Sequence, residues 1–250
     1  MDSFDVMLAL VIGNPDSLTV TNPERERENL GFLEEGKLGA ALLAMPISQR
    51  ATDLIIACEI TNDQIYNRRY VHPTWPGGMS GVTVGIGYDL GYVSAQQLAL
   101  DWAGNLSVAD ISALSRVCGV QGTEADRLVS QVSTVSVPLP AARKVFQNST
   151  LSKTTSLTVS SLPNCDKLSP DCLGALVSLV YNRGPSFRKA GDRYAEMRQI
   201  LFDMNTMSFA DIPTQIRSMA RLWVNDPGAR GLVTRRELEA TLFHDGLPKV

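Results

Sequence analysis

The chain has 250 residues, of which 44% are hydrophobic and 20% are charged. This balance supplies enough apolar side chains for a folded core and excludes disordered, collagenous and coiled-coil proteins. Because 23 basic residues stand against 26 acidic ones, the net charge is −3 and predicts no charge-driven binding to nucleic acid or to an anionic membrane.

The beginning of the chain has a mixed pattern. The apolar run over residues 6–13 is too short to span a membrane, and it lacks the basic flank of a signal peptide because Asp2 and Asp5 precede it. We therefore interpret residues 1–46 as an N-terminal extension or linker, and residues 47–250 as the main domain, a domain of about 200 residues.

Helical periodicity dominates the rest of the chain. Ser48 is the predicted N-cap of the first helix, which buries Leu54 and Ile55 and carries Glu59 near its end. Further helices are expected over residues 94–102, 138–146, 172–181, 194–204, 208–223 and 234–243, and after the capping pairs Ser107–Asp110, Thr123–Asp126 and Ser208–Asp211.

Two stretches depart from the helical pattern. The segment VTVGIGY at residues 82–88 alternates β-branched residues with glycine, which predicts a short strand after a turn-rich loop. Residues 153–162 are rich in Ser, Thr and Val without a helical stripe, and they are predicted to form an extended loop or a short strand. Taken together, the predicted helices and the short strand indicate a predominantly helical α+β protein.

Cysteine and histidine are sparse. Four cysteines without a C-x-x-C pair, together with two histidines, exclude the common zinc motifs and a redox dithiol, so catalysis by a metal held by His and Cys is not expected. Cys165 and Cys172 bracket a short polar loop, so two alternatives stay open for them, a disulfide or two free thiols.

The glycine-rich segment at residues 85–91 and two carboxylates offer the chemical leads. The glycines follow the pattern G-x-G-x-x-x-G, which is not the dinucleotide fingerprint and favours close backbone approach in a small sheet. Glu59 and Asp89 flank the loop that holds Trp75, and a pair of carboxylates is what glycoside hydrolysis requires. On composition alone, a pair such as Glu59 and Asp89 is more often two solvated surface carboxylates than a catalytic pair.

Three blocks of sequence resemble the phage-type lysozyme superfamily, and especially its pesticin-like branch. Glu59 followed by SGVTVGIGYDLG at residues 80–91 is similar to the active-site signature of that branch. The segments ALVSLVYNRG at 175–184 and GLVTRRELEA at 231–240 resemble the central buried helix and the C-terminal segment. The resemblance covers roughly residues 50–245, and it implies a lysozyme-like two-lobed fold with a small β-hairpin lobe and a larger helical lobe.

The resemblance implies a role for each residue of the signature. Glu59 matches the general acid, Thr83 the threonine that holds the nucleophilic water, and Asp89 the second carboxylate of the pesticin-like branch. The shorter phage enzymes carry an aspartate six residues before the threonine, but Gly77 occupies that position here. Asp63 therefore stays open as the alternative to Asp89.

Four further side chains are expected to contact substrate, namely Trp75, Tyr88, Asn182 and Arg183. Packing beneath the loop is the alternative for Trp75, and capping the end of the central helix is the alternative for the Asn-Arg pair. Arg235 and Arg236 are instead expected to position the last helix through pairs with carboxylates such as Glu239.

The function that the resemblance implies is that of a muramidase. Such an enzyme cleaves the β-1,4 bond between N-acetylmuramic acid and N-acetylglucosamine in peptidoglycan, with inversion and without a cofactor.

The expected partners are peptidoglycan glycan strands and a cognate immunity protein, with no nucleic acid and no membrane insertion, and the expected state is a monomer. The expected place of action is the periplasm or cell wall of a target bacterium. The chain would get there by secretion without a visible signal peptide or as a piece of a larger secreted protein, an antibacterial effector, a bacteriocin or an endolysin. The alternatives are a non-catalytic peptidoglycan-binding module and an adaptor domain of a larger toxin.

Overall fold

The computed structural model describes residues 3–18 and 45–248. The structure is 69% helical with one small antiparallel sheet in the described part, so the expected predominantly helical α+β class is confirmed. In chain order, the elements are α1 (Ser3–Gly13), α2 (Gln49–Ile60), α3 (Asp63–Arg69), β1 (Thr83–Val84), β2 (Tyr88–Asp89), α4 (Ala95–Trp102), α5 (Val108–Ser115), α6 (Gly122–Val132), α7 (Leu139–Val145), α8 (Ser152–Ser161), α9 (Pro170–Arg183), α10 (Ala195–Thr206), α11 (Ile212–Ser218) and α12 (Arg230–Asp245).

The described residues divide into two compact units. The first contains residues 3–18, 45–58 and 154–248, and the second contains residues 59–153. The sheet and helices α3 to α7 belong to the second unit, so Glu59, Thr83 and Asp89 all lie in it.

Helix α9 forms the centre of the first unit. Every residue from Cys172 to Arg183 is buried, as expected for a helix that is apolar on most sides. It packs against α12, and α12 also contacts α11 and α1. At Gly174 a Cβ atom would lie 2.2 Å from the Cβ atom of Ala51, so the absence of a side chain allows α2 and α9 to approach closely.

The N-terminal segment is packed onto the first unit. Phe4 of α1 is buried, and its backbone N–H donates to Asp245 of α12 at 3.1 Å. Arg50 of α2 binds Asp5, Asp171 and Asp245, which lie on three other helices. Residues 3–18 of the expected extension are thus held by a buried aromatic ring and an arginine with three carboxylates. Residues 19–44 lie outside the described part, and the boundary at residue 46 stays a prediction.

Two of the four predicted capping residues begin the helices expected after them. The hydroxyl groups of Ser48 and Ser107 accept backbone N–H groups in the first turns of α2 and α5, as predicted. The prediction for Thr123 was wrong, because the N-cap is Gln121, two residues earlier, and α6 begins at Gly122. At Ser208 the chain forms a short 3-10 turn, and α11 begins only at Ile212.

The prediction of an extended segment at residues 153–162 was also wrong. Helix α8 occupies it, and its hydroxyl side chains bond back to the preceding turn. Thr158 donates to the carbonyl oxygen of Thr154 at 2.8 Å, and Ser161 donates to that of Leu157 at 2.7 Å. Because these bonds satisfy the hydroxyl groups within the helix, threonines can be buried in place of aliphatic side chains, and no hydrophobic stripe marks the helix.

All four cysteines are free thiols in the structure. Cys172 donates to the carbonyl oxygen of Phe243, and burial raises the pKa of Cys165 and of Cys172 to about 11. We expect slow alkylation of these thiols by iodoacetamide at pH 8 in the folded protein, because about one in a thousand would be ionised. After unfolding in denaturant without a reductant, iodoacetamide should alkylate all four cysteines, as counted by mass spectrometry. Alkylation of only two of the four would indicate a disulfide instead.

Candidate active site

The sheet is a tight hairpin that brings two candidate residues opposite each other. Thr83 of β1 pairs with Asp89 of β2, and Val84 pairs with Tyr88. The alternating pattern predicted one strand, but the chain reverses at Gly85-Ile86-Gly87. Both glycines of this turn have positive φ angles, 61° and 63°, which other residues adopt only with strain.

The Asp89 carboxylate is held by the backbone on both sides of the hairpin. Its Oδ1 atom accepts the N–H of Gly81 at 2.9 Å and the N–H of Gly91 at 2.8 Å, and the residue is 5% exposed. Hydrogen bonds to a carboxylate are among the stronger ones in proteins. Asp89 therefore ties the loop before β1 to the turn after β2.

Close backbone approach accounts for two glycines of the signature. A Cβ atom on Gly81 would lie 2.2 Å from the nitrogen of Gly91 and 2.7 Å from Oδ1 of Asp89. No side chain fits between the two segments, which confirms the expected packing role of glycines in this sheet.

We expect Gly81→Ala to lower the free energy of unfolding by about 1–3 kcal/mol, because the added methyl group must push the Asp89 loop apart. Urea denaturation would measure the change. Gly13→Ala is the matched control, since nothing lies within 4 Å of a Cβ atom at that position. Equal effects of the two substitutions would contradict this account.

Thr83 is buried between two neighbouring segments. Its backbone also pairs with Thr74, through N···O distances of 2.7 and 3.0 Å. Its hydroxyl group donates to the carbonyl oxygen of Gly81 over 3.4 Å, which is long for a bond from a hydroxyl group. The backbone of Thr83 is therefore held on both sides, while the hydrogen bond of its hydroxyl group is weak.

Glu59 is half-buried and is the penultimate residue of α2. The chain turns immediately after this helix, because Thr61 has a positive φ angle of 62° and Asn62 caps α3. Glu59 thus stands at the last turn of a helix, where the sequence predicted it.

The two other positions considered for the second carboxylate have clear local roles. Asp63 has a 65% exposed side chain that pairs with Arg143 at 2.7 Å. Gly77 has a φ angle of 103°, which an aspartate would adopt only with strain. The backbone at this position therefore favours glycine over aspartate.

The two aromatic candidates for substrate contact differ in exposure. Trp75 is half-buried, and its indole N–H donates to the carbonyl oxygen of Ser80 at 3.0 Å, closing the loop before β1. Tyr88 is 5% exposed, and its ring packs edge-on against Trp102 with the centroids 5.5 Å apart. Burial, together with the nearby Asp101 carboxylate, raises the pKa of Tyr88. Tyr88 therefore offers little surface to a sugar.

Asn182 and Arg183 are both buried in the first unit. The Asn182 side-chain oxygen accepts from Arg236 at 3.1 Å. Arg183 donates to the backbone of Arg193 at 2.9 Å, and its guanidinium lies over the ring of Trp223. These partners hold the end of α9 in place, while contact of either side chain with substrate stays a prediction.

Glu239 is the centre of a buried ionic network in the same unit. Its Oε1 atom accepts from Arg235 at 3.1 Å, from Arg236 at 3.0 Å and from the hydroxyl group of Ser178 at 2.6 Å. The predicted pairing of the two arginines with Glu239 is confirmed. Burial lowers the pKa of Arg236 to about 10 even though Glu239 acts to raise it.

One polar cluster beside the hairpin was not anticipated from the sequence. Asp101 of α4 accepts hydrogen bonds from Tyr88, Gln97 and Lys153. The four-residue spacing of Gln97 and Asp101 was its only local signal, and such spacing is common on exposed helix faces. The partners at residues 88 and 153 are distant in the chain, so only the fold brings them together.

Within residues 3–18 and 45–248, no three His, Cys, Asp or Glu side chains come together as metal ligands would. None of the helices in the same ranges combines the length and the apolar character needed to cross a membrane.

Comparison with known proteins gives one family match. A family model described as "Domain of unknown function (DUF8812)" matches residues 55–163, which is less than half of the chain. The matched region contains Glu59, Thr83 and Asp89, but the description states no activity. No curated protein matches the chain.

Proposed function

We propose that the chain is a muramidase with a lysozyme-like fold, which hydrolyses the β-1,4 bond between N-acetylmuramic acid and N-acetylglucosamine. The main support is the pairing of Thr83 with Asp89 across the hairpin, within the compact unit that also contains Glu59. The resemblance to the pesticin-like lysozymes assigns catalytic roles to these three residues. The proposed substrate is peptidoglycan in the periplasm or cell wall of a target bacterium.

In this proposal Glu59 donates a proton to the glycosidic oxygen as the bond breaks. A water molecule attacks the opposite face of the sugar, as inverting glycosidases require, and a second carboxylate takes its proton. Asp89 supplies that carboxylate, and the hydroxyl group of Thr83 orients the water. The weak hydrogen bond of Thr83 supports this role, because little free energy is lost when the hydroxyl group turns to a water molecule.

One observation favours the alternative of a non-catalytic peptidoglycan-binding module. The Asp89 carboxylate is buried, and one of its oxygens already accepts two backbone N–H groups. Those bonds give it a structural role that would persist without catalysis. The two functions differ in one measurable product, the new reducing end that hydrolysis creates.

The experiment is digestion of purified peptidoglycan by the full chain. Loss of turbidity with release of reducing ends, and muropeptides of the mass expected for muramidase cleavage, would support the proposal. NMR of the first product formed should show the α-anomer, because inversion at a β-linkage gives it. Sedimentation of the protein with intact walls without any new reducing ends would support the binding module instead.

A further inference from the structure

We propose that Asp101 is a positioning residue: it binds Tyr88 and so holds the hairpin bearing Thr83 and Asp89 against helix α4, while Lys153 pairs with Asp101 and keeps its carboxylate in place. The inference rests on the proposed function of that site, and it gives roles to Asp101 and Lys153, to which the resemblance assigns none.

The contacts of Asp101 are short and come from three parts of the second unit. Its Oδ2 atom accepts from the Tyr88 hydroxyl group at 2.8 Å and pairs with Nζ of Lys153 at 3.0 Å. Its Oδ1 atom accepts from Gln97 on the same helix at 2.8 Å. The Asp101 side chain is 10% exposed. A carboxylate buried to this extent requires partners, and these three supply them.

Tyr88 connects this carboxylate to the candidate active site. It immediately precedes Asp89 in β2 and pairs with Val84, so its position sets that of the whole hairpin. The turn of the hairpin approaches the same helix, since a Cβ atom on Gly85 would lie 3.1 Å from the Trp102 ring. Helix α4 therefore supports the hairpin through one hydrogen bond and one aromatic residue.

Lys153 reaches Asp101 after an unusual turn in its helix. Residues Phe146–Leu151 form a π-helical turn between α7 and α8. Such turns carry an extra residue and are frequent near functional sites, because they change the direction of the side chains around them. Lys153 stands two residues after this turn, at the second position of α8. The turn therefore immediately precedes the residue whose ammonium group pairs with Asp101.

The charge of the cluster is settled by these contacts. Burial acts to raise the pKa of Asp101, but the hydrogen bond and positive charge of Lys153 and the hydrogen bond from Tyr88 act to lower it, and the net direction is a lowered pKa. Asp101 is therefore ionised near neutral pH and cannot serve as a proton donor there. Its role is to fix the tyrosine and, through it, the hairpin.

The test compares Asp101→Asn, Lys153→Met and Lys153→Arg with the unchanged chain on solubilised peptidoglycan fragments. The first two variants should lower kcat about tenfold, with KM changed less than about twofold, because misplacement of catalytic groups affects the transition state most. Lys153→Arg should restore most of kcat, since a guanidinium also pairs with a carboxylate. Glu124→Gln is the control, because it removes an exposed ion pair with Arg127.

Hydrogen–deuterium exchange gives a readout that does not depend on activity. The amides of residues 83–90 should exchange faster in the first two variants and at the normal rate in Lys153→Arg, with circular dichroism showing that all remain folded. Normal kcat in folded Asp101→Asn, or equal defects in the two lysine variants, would overturn the inference. If the unchanged chain releases no reducing ends, the proposed function fails, and unchanged hairpin exchange would then overturn the positioning role separately.

Discussion

Glu59→Gln is expected to lower the rate of peptidoglycan hydrolysis by about 10²–10⁴-fold, because the amide cannot donate a proton to the leaving oxygen. The side chains are nearly the same size, and Glu59 is half-buried at the end of α2, so the fold should be retained. The measurement is the initial rate of reducing-end release, with circular dichroism and thermal unfolding of the same samples.

The matched control for this substitution is Asp53→Asn. Asp53 lies on the exposed side of the same helix, where it accepts a hydrogen bond from Gln49 at 2.9 Å. The Asp53→Asn substitution removes one carboxylate from α2, as Glu59→Gln does, so the rate of hydrolysis should stay within about twofold of that of the unchanged chain. A folded Glu59→Gln protein that still digests walls at the normal rate would remove Glu59 from the role of general acid.

Glu239→Gln is expected to lower the free energy of unfolding by about 3–5 kcal/mol, because it leaves buried arginines without their carboxylate. Glu239 is fully buried, and its partners Arg235 and Arg236 are 4% and 0% exposed. Equilibrium unfolding in urea would measure the loss.

Glu237→Gln is the matched control, two residues earlier on α12. Glu237 pairs with Arg217, and both side chains are more than 40% exposed. An exposed pair of this kind contributes about 0–1 kcal/mol. A similar small loss for Glu239→Gln would mean that the arginines find other partners and that the network is not what stabilises α9 and α12.

The two substitutions separate chemistry from stability. Glu59→Gln should abolish activity with little change in unfolding, whereas Glu239→Gln should weaken the fold. Loss of activity in both, with normal stability in both, would place the arginine network in the chemistry.

Local signals in the sequence were sufficient to predict where two helices, α2 and α5, begin. Ser48 and Ser107 accept backbone N–H groups as predicted, because an N-cap depends only on residues two or three positions away. The same logic failed at Thr123, where Gly122, with a φ angle of 67°, already begins the helix. Helix α8 was missed because buried threonines replace the apolar stripe.

The candidate site was predicted in part. The resemblance selected Glu59, Thr83 and Asp89, and the structure pairs the latter two across the hairpin. It could not indicate that Tyr88 points to Asp101, since that contact depends on how the hairpin meets α4.

The sequence by itself determined the helical class, the helix starts capped by Ser48 and Ser107, and the pairing of Arg235 and Arg236 with Glu239. All of these depend on spacings of a few residues along the chain. Only the tertiary structure decided the attachment of α1, the helical state of α8 and the Asp101 cluster. The attachment of α1 and the pairing of Asp101 with Lys153 depend on contacts between segments that are distant in the chain, as the separations of Phe4 from Asp245 (241 residues) and of Lys153 from Asp101 (52 residues) show. The bonds of the α8 hydroxyl groups are local, but burial of that helix without an apolar stripe depends on the packing around it.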